Sequence, residues 1–308
     1  MPATPPPPTG EALARDRVPD GAQPAPSLAD VRWVREAIEP GRISYRVGRK
    51  DAYYVAEWDG IGALWARSPS SAELFPVAGL DPVYEDKWRR GLVHALVRHL
   101  VGRTTLHGSA VVIAGRAIVF LGESGTGKST CAADLCGRLG AELLADDTVE
   151  IDAAPPGAGG FLVAASEASH WLLRDSAEAL GHGPQERWKQ PVEAARPARA
   201  AVPLGAIVAL SFGPDGSAPA ISALRGLEAF TVINQSYVRF VFDEPDVAAR
   251  DLDAIADLVA TVPIVTLARA PSLTSAALAR TADALSQFVH NLPRGATPRR
   301  QPPTGATP

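Results

Sequence analysis

The chain has 308 residues, of which 46% are hydrophobic, and 34 acidic against 30 basic residues give it a formal net charge of −4. This composition predicts a folded protein of one large or two modest domains. The charges are intermixed, so no nucleic-acid partner or membrane surface is indicated, and no segment approaches the roughly 18 uninterrupted apolar residues of a membrane span.

Both ends of the chain are rich in proline and alanine. Residues 1–27 and 292–308 contain few large apolar side chains and are predicted to be disordered tails. The first residues, MPATPPPPTG, lack the charged and apolar regions of a secretory signal. We therefore expect a cytoplasmic protein.

The sequence of residues 30–104 predicts a small N-terminal antiparallel α+β region with an accessory role. Short aromatic and β-branched runs alternate with turn residues, as in a meander. The predicted strands are Ile43–Val47, Ala52–Trp58 and Gly62–Ala66, with turns at Gly48–Asp51 and Asp59–Gly62. A helix is predicted from about Tyr84 to Val101, because Trp88, Leu92, Leu96 and Leu100 recur every four residues. His94 and His99 on this helix are interpreted as structural or surface residues.

Two strands, Ser109–Ile113 and Ala117–Leu121, are joined by three residues only, Ala114-Gly115-Arg116. A parallel crossover needs a dozen residues or more, so this link predicts an antiparallel hairpin. Ordinary P-loop proteins place the corresponding strand in a parallel sheet. The hairpin therefore indicates a mixed sheet.

A phosphate-binding motif follows the second strand directly. Residues 122–129 read Gly122-Glu123-Ser124-Gly125-Thr126-Gly127-Lys128-Ser129, which is a complete G-x-x-x-x-G-K-S sequence between a strand and a helix. Glycines let backbone N–H groups surround phosphate oxygens, lysine reaches the β- and γ-phosphates, and the serine hydroxyl is a Mg²⁺ ligand. This motif predicts that residues 122–130, including Thr130, bind a nucleoside triphosphate. Cys131 and Cys136, on the following helix, are interpreted as core residues.

An acidic pair ends the next predicted strand. Ala141–Ala145 leads into Asp146-Asp147, and only 17 positions separate Lys128 from Asp146. So short a crossover predicts that the pair lies at the end of a strand adjacent to the loop-bearing strand. Neighbouring strand residues point to opposite faces, so both carboxylates reach one site only if the strand ends or bulges between them. A turn role for one of them is the alternative.

The remainder, up to residue 291, predicts further strands and helices. Strands are expected at Ala206–Phe212, Ala220–Ala223 and Ile264–Leu267, and helices at Leu224–Gln235, Val247–Thr261 and Leu273–Val289. Residues 183–203 have no clear pattern. Five basic residues in this half suit either a phosphate clamp or a solvated surface: Lys189, Arg196, Arg199, Arg225 and Arg239.

The ordered set of Leu106-His107-Gly108, the hairpin, the loop and Leu144-Ala145-Asp146-Asp147 resembles the catalytic domain of the HPr serine kinase/phosphorylase family. That family's fold is similar to the nucleotide domain of ATP-dependent phosphoenolpyruvate carboxykinase. The resemblance covers residues 106–151. It implies an α/β fold with a P-loop kinase domain over residues 105–291.

The resemblance implies an ATP- and Mg²⁺-dependent kinase that phosphorylates a serine, or threonine, of a protein or peptide. The implied catalytic residues are Asp146, Asp147, His107 and Lys128, with Asp146 as the base and Ser129 and Asp147 on the metal. Thr130 replaces a commonly acidic residue, and the family's downstream glycine-rich segment is missing, so the chain looks more like divergent relatives that phosphorylate precursor peptides. Family analogy also favours a homo-oligomer.

Two other functions fit parts of the sequence. A nucleotide-responsive binding module would use ATP to order a surface for a partner without phosphoryl transfer. Small-molecule or carboxykinase-like transfer is suggested by the fold relationship alone.

Overall fold

The computed structural model describes residues 26–37, 45–183 and 189–293. These residues form two compact units. The first comprises the chain up to Thr105 together with Val238–Asp253, and the second comprises Leu106–Tyr237 and the residues from Ala254 onward. The predicted tails lie outside the described residues except for residues 26, 27, 292 and 293, and so do Ile43 and Ser44 of the first predicted strand.

The first unit contains a five-stranded antiparallel sheet whose strands follow chain order. They are β1 (Arg32–Ala37), β2 (Tyr45–Lys50), β3 (Tyr53–Trp58), β4 (Gly62–Ala66) and β5 (Ala72–Pro76). The predicted meander is confirmed, with one additional strand on either side. The turn predicted at Gly48-Arg49-Lys50-Asp51 is wrong, because β2 continues through Lys50. Gly48 instead allows β1 and β2 to approach each other closely, since a Cβ there would lie 2.5 Å from the Arg32 carbonyl oxygen.

The predicted helix of the first unit is present but interrupted. It consists of α1 (Pro82–Trp88), a π-helical turn (Arg89–Val93) and α2 (His94–Leu100). Within this wider turn the helical spacing changes, so Leu92 is 37% exposed while Val93 is buried. The prediction that Leu92 lies on the same face as Trp88 and Leu96 is therefore wrong. Trp88 and Leu96 do pack against the sheet, in a core with Trp58 and Leu64.

The second unit is built on a seven-stranded mixed sheet. Its strands are β6 (Thr104–Ile113), β7 (Arg116–Leu121), β8 (Glu142–Ala153), β9 (Phe161–Val163), β12 (Val202–Phe212), β13 (Ala220–Ala223) and β14 (Ile264–Arg269), and a separate ribbon contains β10 (Ser169–Leu173) and β11 (Lys189–Glu193). The order is β13-β14-β12-β7-β6-β8-β9, and β9 also pairs with β12. β7 is antiparallel to β6, which confirms the hairpin, and parallel to β12.

Helices cover both faces of this sheet. They are α3 (Lys128–Leu139), α4 (Arg174–Ala179), α5 (Gly226–Ser236), α6 (Pro245–Thr261), within which the boundary between the units falls, and α7 (Ser275–Asn291). Alternate residues of β7 supply the two cores. Ile118 and Phe120 pack with α3 and α7, whereas Val119 and Leu121 pack with α5 and the second half of α6. Hydrophobic burial on both faces therefore fixes β7 at the centre, where its end places the phosphate-binding loop.

Cys131 and Cys136 lie in the α3 core, as predicted. Burial raises the pKa of each thiol to about 12. Within the described ranges, no helix is long and apolar enough to cross a membrane.

A buried ion cluster in the first unit centres on Asp251. His99 Nδ1 accepts from the Phe240 amide at 3.2 Å, so its Nε2 carries the proton and donates to Asp251 at 2.9 Å. Arg239 and Arg250 also donate to this carboxylate, at 3.2 and 3.1 Å. Burial alone would raise the pKa of Asp251, but these donors outweigh it and hold the pKa below its ordinary value. His99 is therefore a structural residue, as predicted.

This cluster predicts a loss of stability in acid. A carboxylate whose pKa is lower in the folded state stabilises the fold above its unfolded-state pKa of about 3.9, and the stabilisation is lost as the pH falls through the folded-state value. We expect Asp251→Asn to lower the free energy of unfolding at pH 7 by about 3 kcal/mol and to flatten its decline below about pH 4. Urea titrations between pH 3 and 7 measure both, with Asp253→Asn, an exposed aspartate on the same helix, as the control. If the free energy of unfolding declines equally steeply below about pH 4 in wild type and Asp251→Asn, this account is contradicted.

Candidate active site

The loop between β7 and α3 is shaped by three glycines. Gly122, Gly125 and Gly127 have φ values of +140°, +86° and +87°, which side-chain-bearing residues rarely adopt. Between them the Thr126 amide and hydroxyl both donate to the Glu123 carbonyl, at 3.3 and 2.8 Å. Gly127 then caps the N-terminus of α3. The result is a compact turn at a helix N-terminus, which is the geometry that binds phosphate.

Lys128 lies against its own loop. Its Nζ donates to the carbonyl oxygens of Gly122 at 2.9 Å and of Glu123 at 3.1 Å. Burial lowers the pKa of Lys128, Asp147 opposes that shift, and the neighbouring charge of Lys189 adds to it. The ammonium group is thus positioned beside the loop by neutral acceptors.

Asp146 is the most enclosed charged group of the site, with no exposed surface. Its Oδ1 accepts from the hydroxyls of Ser129, at 2.8 Å, and Ser109, and its Oδ2 accepts from the Trp171 amide at 2.7 Å. The Asp147 amide also donates to Oδ1, at 3.2 Å. These donors offset the cost of burying the carboxylate and hold it against the start of α3.

Asp147 occupies a different environment although it is the next residue. Its φ is +70°, so the regular strand alternation breaks here, and its side chain is 24% exposed. Lys189 of β11 pairs with it, Nζ to Oδ1 at 2.7 Å. Burial would lower the pKa of Lys189, but attraction to Asp147 and Asp146 raises it above its ordinary value. One carboxylate is therefore enclosed and the other is accessible.

His107 lies on β6 and is exposed. Desolvation and the charge of Lys128 lower the pKa of His107, while the charge of Asp147 opposes the shift. Lys189 and Asp146 also act on its charge. The structure therefore brings His107, Lys128 and both aspartates into one electrostatic neighbourhood.

Four details differ from the sequence-based expectation. β8 does not end at the acidic pair but continues to Ala153, with the irregular φ of Asp147 in place of a strand end. β8 is also not adjacent to the loop-bearing strand, because the short hairpin link forces β6 into that position. Ser129, expected beside Asp147, is bonded to Asp146. The Thr130 hydroxyl is buried against Ser176 at 2.8 Å, away from the loop.

The structure adds four residues to the site that the sequence did not single out. Ser109, Trp171, Lys189 and His170 come from three strands that are distant from one another in the chain. His170 is 3% exposed, and its Nδ1 has no hydrogen-bond partner among the described residues. Burial lowers its pKa despite the attraction of nearby Asp146. Of these four residues, only Lys189 was considered from the sequence, as one of five basic residues that suit either a phosphate clamp or a solvated surface.

The oxygen donors at the loop fit a hard divalent cation. The Ser129 hydroxyl and the Asp146 carboxylate are adjacent, and Mg²⁺ is usually bound by one or two such protein oxygens plus phosphates and water. Among the residues that the structure describes, no group of three or more His, Cys, Asp or Glu side chains could hold a metal.

Comparison with known proteins finds similarity over the segment that carries this site. Residues 98–161 match the model of the HPr Serine kinase C-terminal domain. The HPr kinase/phosphorylase of Caldanaerobacter subterraneus is 43% identical over 65 residues, which are 21% of this chain and 21% of that protein. The corresponding enzyme of Caldicellulosiruptor bescii is 48% identical over 56 residues, 18% of each chain. The chain thus spans about a fifth of the length of the curated relatives it matches.

Among solved structures, the HPr(Ser) kinase/phosphatase of Coxiella burnetii superimposes with a TM-score of 0.26 at 15% identity, over 50% of this chain and 96% of that one. The matched residues 98–161 contain the histidine, the hairpin, the loop and the acidic pair that the structure brings together. This segment is therefore similar in sequence to the HPr Serine kinase C-terminal domain family.

Proposed function

We propose that the protein transfers the γ-phosphate of ATP to a serine, or less favourably a threonine, of a protein or peptide. The arrangement of Asp146 and Asp147 carries this proposal. One carboxylate is buried against Ser129 of the phosphate-binding loop, and the other is accessible beside Lys128 and His107. Phosphoryl transfer requires positioning of phosphates and metal together with a group that orients the acceptor hydroxyl. The similarity of residues 98–161 to the HPr Serine kinase C-terminal domain family supports the same reaction class.

The geometry suggests how the residues divide the work. Asp146 and Ser129 would hold Mg²⁺, which when bound neutralises phosphate charge, and Lys128 would contact the β- and γ-phosphates. Asp147 would orient the acceptor hydroxyl and take its proton as the hydroxyl oxygen bonds to the γ-phosphorus and the bond to ADP breaks. This assignment reverses the roles that the resemblance suggested, because Ser129 contacts Asp146 and not Asp147.

Several expectations remain predictions within this proposal. We propose that His107 is a residue of the catalytic site and that the first unit recognises the acceptor. A cytoplasmic location, a homo-oligomeric state and an acceptor other than HPr itself are likewise proposed.

The defining experiment measures transfer of γ-labelled ATP phosphate, with Mg²⁺, to proteins and peptides encoded beside this gene. We expect label on a seryl residue with wild type and a rate lower by about 10²–10³ with Lys128→Ala, because the variant lacks the positive charge beside the transferring phosphate. Arg280→Ala, an exposed cation on α7, should leave the rate unchanged.

Equal transfer by wild type and Lys128→Ala would contradict the proposal. ATP-dependent association with a partner that is never labelled would instead favour the nucleotide-responsive binding module. Thermal stabilisation by ATP distinguishes both outcomes from a complete lack of nucleotide binding.

A further inference from the structure

Arg269 is a buried cation at the end of β14, directly behind the phosphate-binding loop. It is 3% exposed. Its Nη2 donates to the Thr126 carbonyl at 2.8 Å and its Nη1 to the carbonyl of neighbouring Ala270 at 3.2 Å. Its Nε is also buried and has no hydrogen-bond partner among the described residues. The guanidinium therefore has neutral partners that do not use all of its donors.

No carboxylate compensates this charge in the part of the chain that the structure describes. Two other buried charges of the second unit do have a charged partner or dedicated donors: Asp134 pairs with Arg138, and Asp146 accepts from hydroxyls and amides. Arg269 contacts only carbonyl oxygens and the face of Phe212, 5.3 Å from its ring centroid. Burying a cation without a counter-charge is strongly unfavourable, so an arginine at this position requires a compensating benefit.

The position of the guanidinium indicates where its counter-charge binds. It contacts the loop backbone at Thr126, and a Cβ on Gly127 would lie only 2.2 Å from Nη2. Lys128 and Ser129 of the same loop follow Thr126 and Gly127 directly in the chain. A polyphosphate in this loop would place several negative charges near Arg269, in a protein environment that screens them far less than water does.

We propose that Arg269 is a positioning residue for the polyphosphate of the bound nucleotide: it holds the loop through Thr126, and the phosphates supply the counter-charge that the protein lacks. This inference rests on the proposed function. It deepens that function by assigning affinity to the phosphate chain and not to the base. A guanidinium that only pinned the loop would instead stabilise the protein equally with and without ligand.

The test compares wild type, Arg269→Met and Arg269→Lys by thermal unfolding and by calorimetric titration with MgATP, MgADP and inorganic tripolyphosphate. We expect Arg269→Met to raise the Kd of all three ligands at least about tenfold, since a nearby positive charge is removed. Without ligand, its melting temperature should equal or exceed that of wild type, because an uncompensated buried charge is gone. Arg269→Lys should recover part of the affinity, including that for tripolyphosphate.

Arg116→Met is the matched control. Arg116 also donates to a backbone carbonyl, that of Leu292 at 3.2 Å, but it lies at the start of β7, at the opposite end of the strand from the loop. It should leave all three Kd values unchanged. Unchanged affinity in Arg269→Met, or a loss of stability that is as large without ligand as with it, would overturn the assignment. Failure of wild type to bind any of the three ligands would instead overturn the proposed function itself.

Discussion

Replacing Asp146 with asparagine should lower phosphoryl transfer by about 10²–10³ while the protein stays folded. Asparagine has the shape of aspartate but lacks its charge. Its NH₂ group can occupy the Oδ1 position and donate to the Ser109 and Ser129 hydroxyls, and its oxygen can still accept from the Trp171 amide. The fold therefore loses only the 3.2 Å bond from the Asp147 amide to Oδ1, whereas the proposed Mg²⁺ would lose its anionic ligand.

A readout that does not depend on the acceptor separates this effect from a general loss of activity. We expect ATP affinity in wild type to rise when Mg²⁺ replaces EDTA, and this rise to be largely absent in Asp146→Asn. Asp134→Asn is the control, because Asp134 is also a buried carboxylate but pairs with Arg138 along α3. If Asp146→Asn keeps both the transfer rate and the Mg²⁺ dependence of wild type, the metal lies elsewhere.

Replacing Gly127 with alanine should destabilise the protein and prevent nucleotide binding. Two separate effects act at this position. A φ of +87° costs an L-residue roughly 1–2 kcal/mol, and the new methyl group would meet the Arg269 guanidinium at 2.2 Å. Displacing a packed side chain typically costs about 1–3 kcal/mol more. We expect a total loss of roughly 2–5 kcal/mol in the free energy of unfolding, measured in urea without nucleotide.

Gly125→Ala distinguishes the two effects. Gly125 has nearly the same φ, +86°, but a Cβ there meets nothing within 4 Å. It should show the backbone strain alone, a loss of about 1–2 kcal/mol. Equal losses at Gly125 and Gly127 would show that Arg269 yields without cost, and the close packing behind the loop would then have no energetic role.

The sequence predicted those parts of the site whose geometry is set locally. The three-residue link at Ala114 determines the hairpin, and the Gly122–Ser129 motif determines the loop and the start of α3. The central strands and the helices on either side followed from hydrophobic periodicity. In each case neighbouring residues fix the geometry, so no tertiary information was needed.

The remaining parts depend on contacts between distant segments. Lys189 reaches Asp147 only because β11 pairs with β10, and residues 183–203 carry no pattern that predicts this ribbon. Trp171 contributes a backbone amide, which its side-chain identity does not reveal. The π turn at Arg89–Val93 likewise has no signal in the spacing of leucines. Local propensity does not determine such features, which arise from packing in the folded chain.

The donors around Asp146 come from β6, α3 and β10, so the folded chain fixes the carboxylate before any ligand arrives. Ligand binding therefore need not order this carboxylate, which is already held in its position in the folded protein. In the proposed reaction Lys128 would exchange the carbonyls of Gly122 and Glu123 for phosphate oxygens. Such a site would favour a phosphate chain that carries a divalent cation, since a carboxylate fixed by the fold does not move to suit a ligand without one.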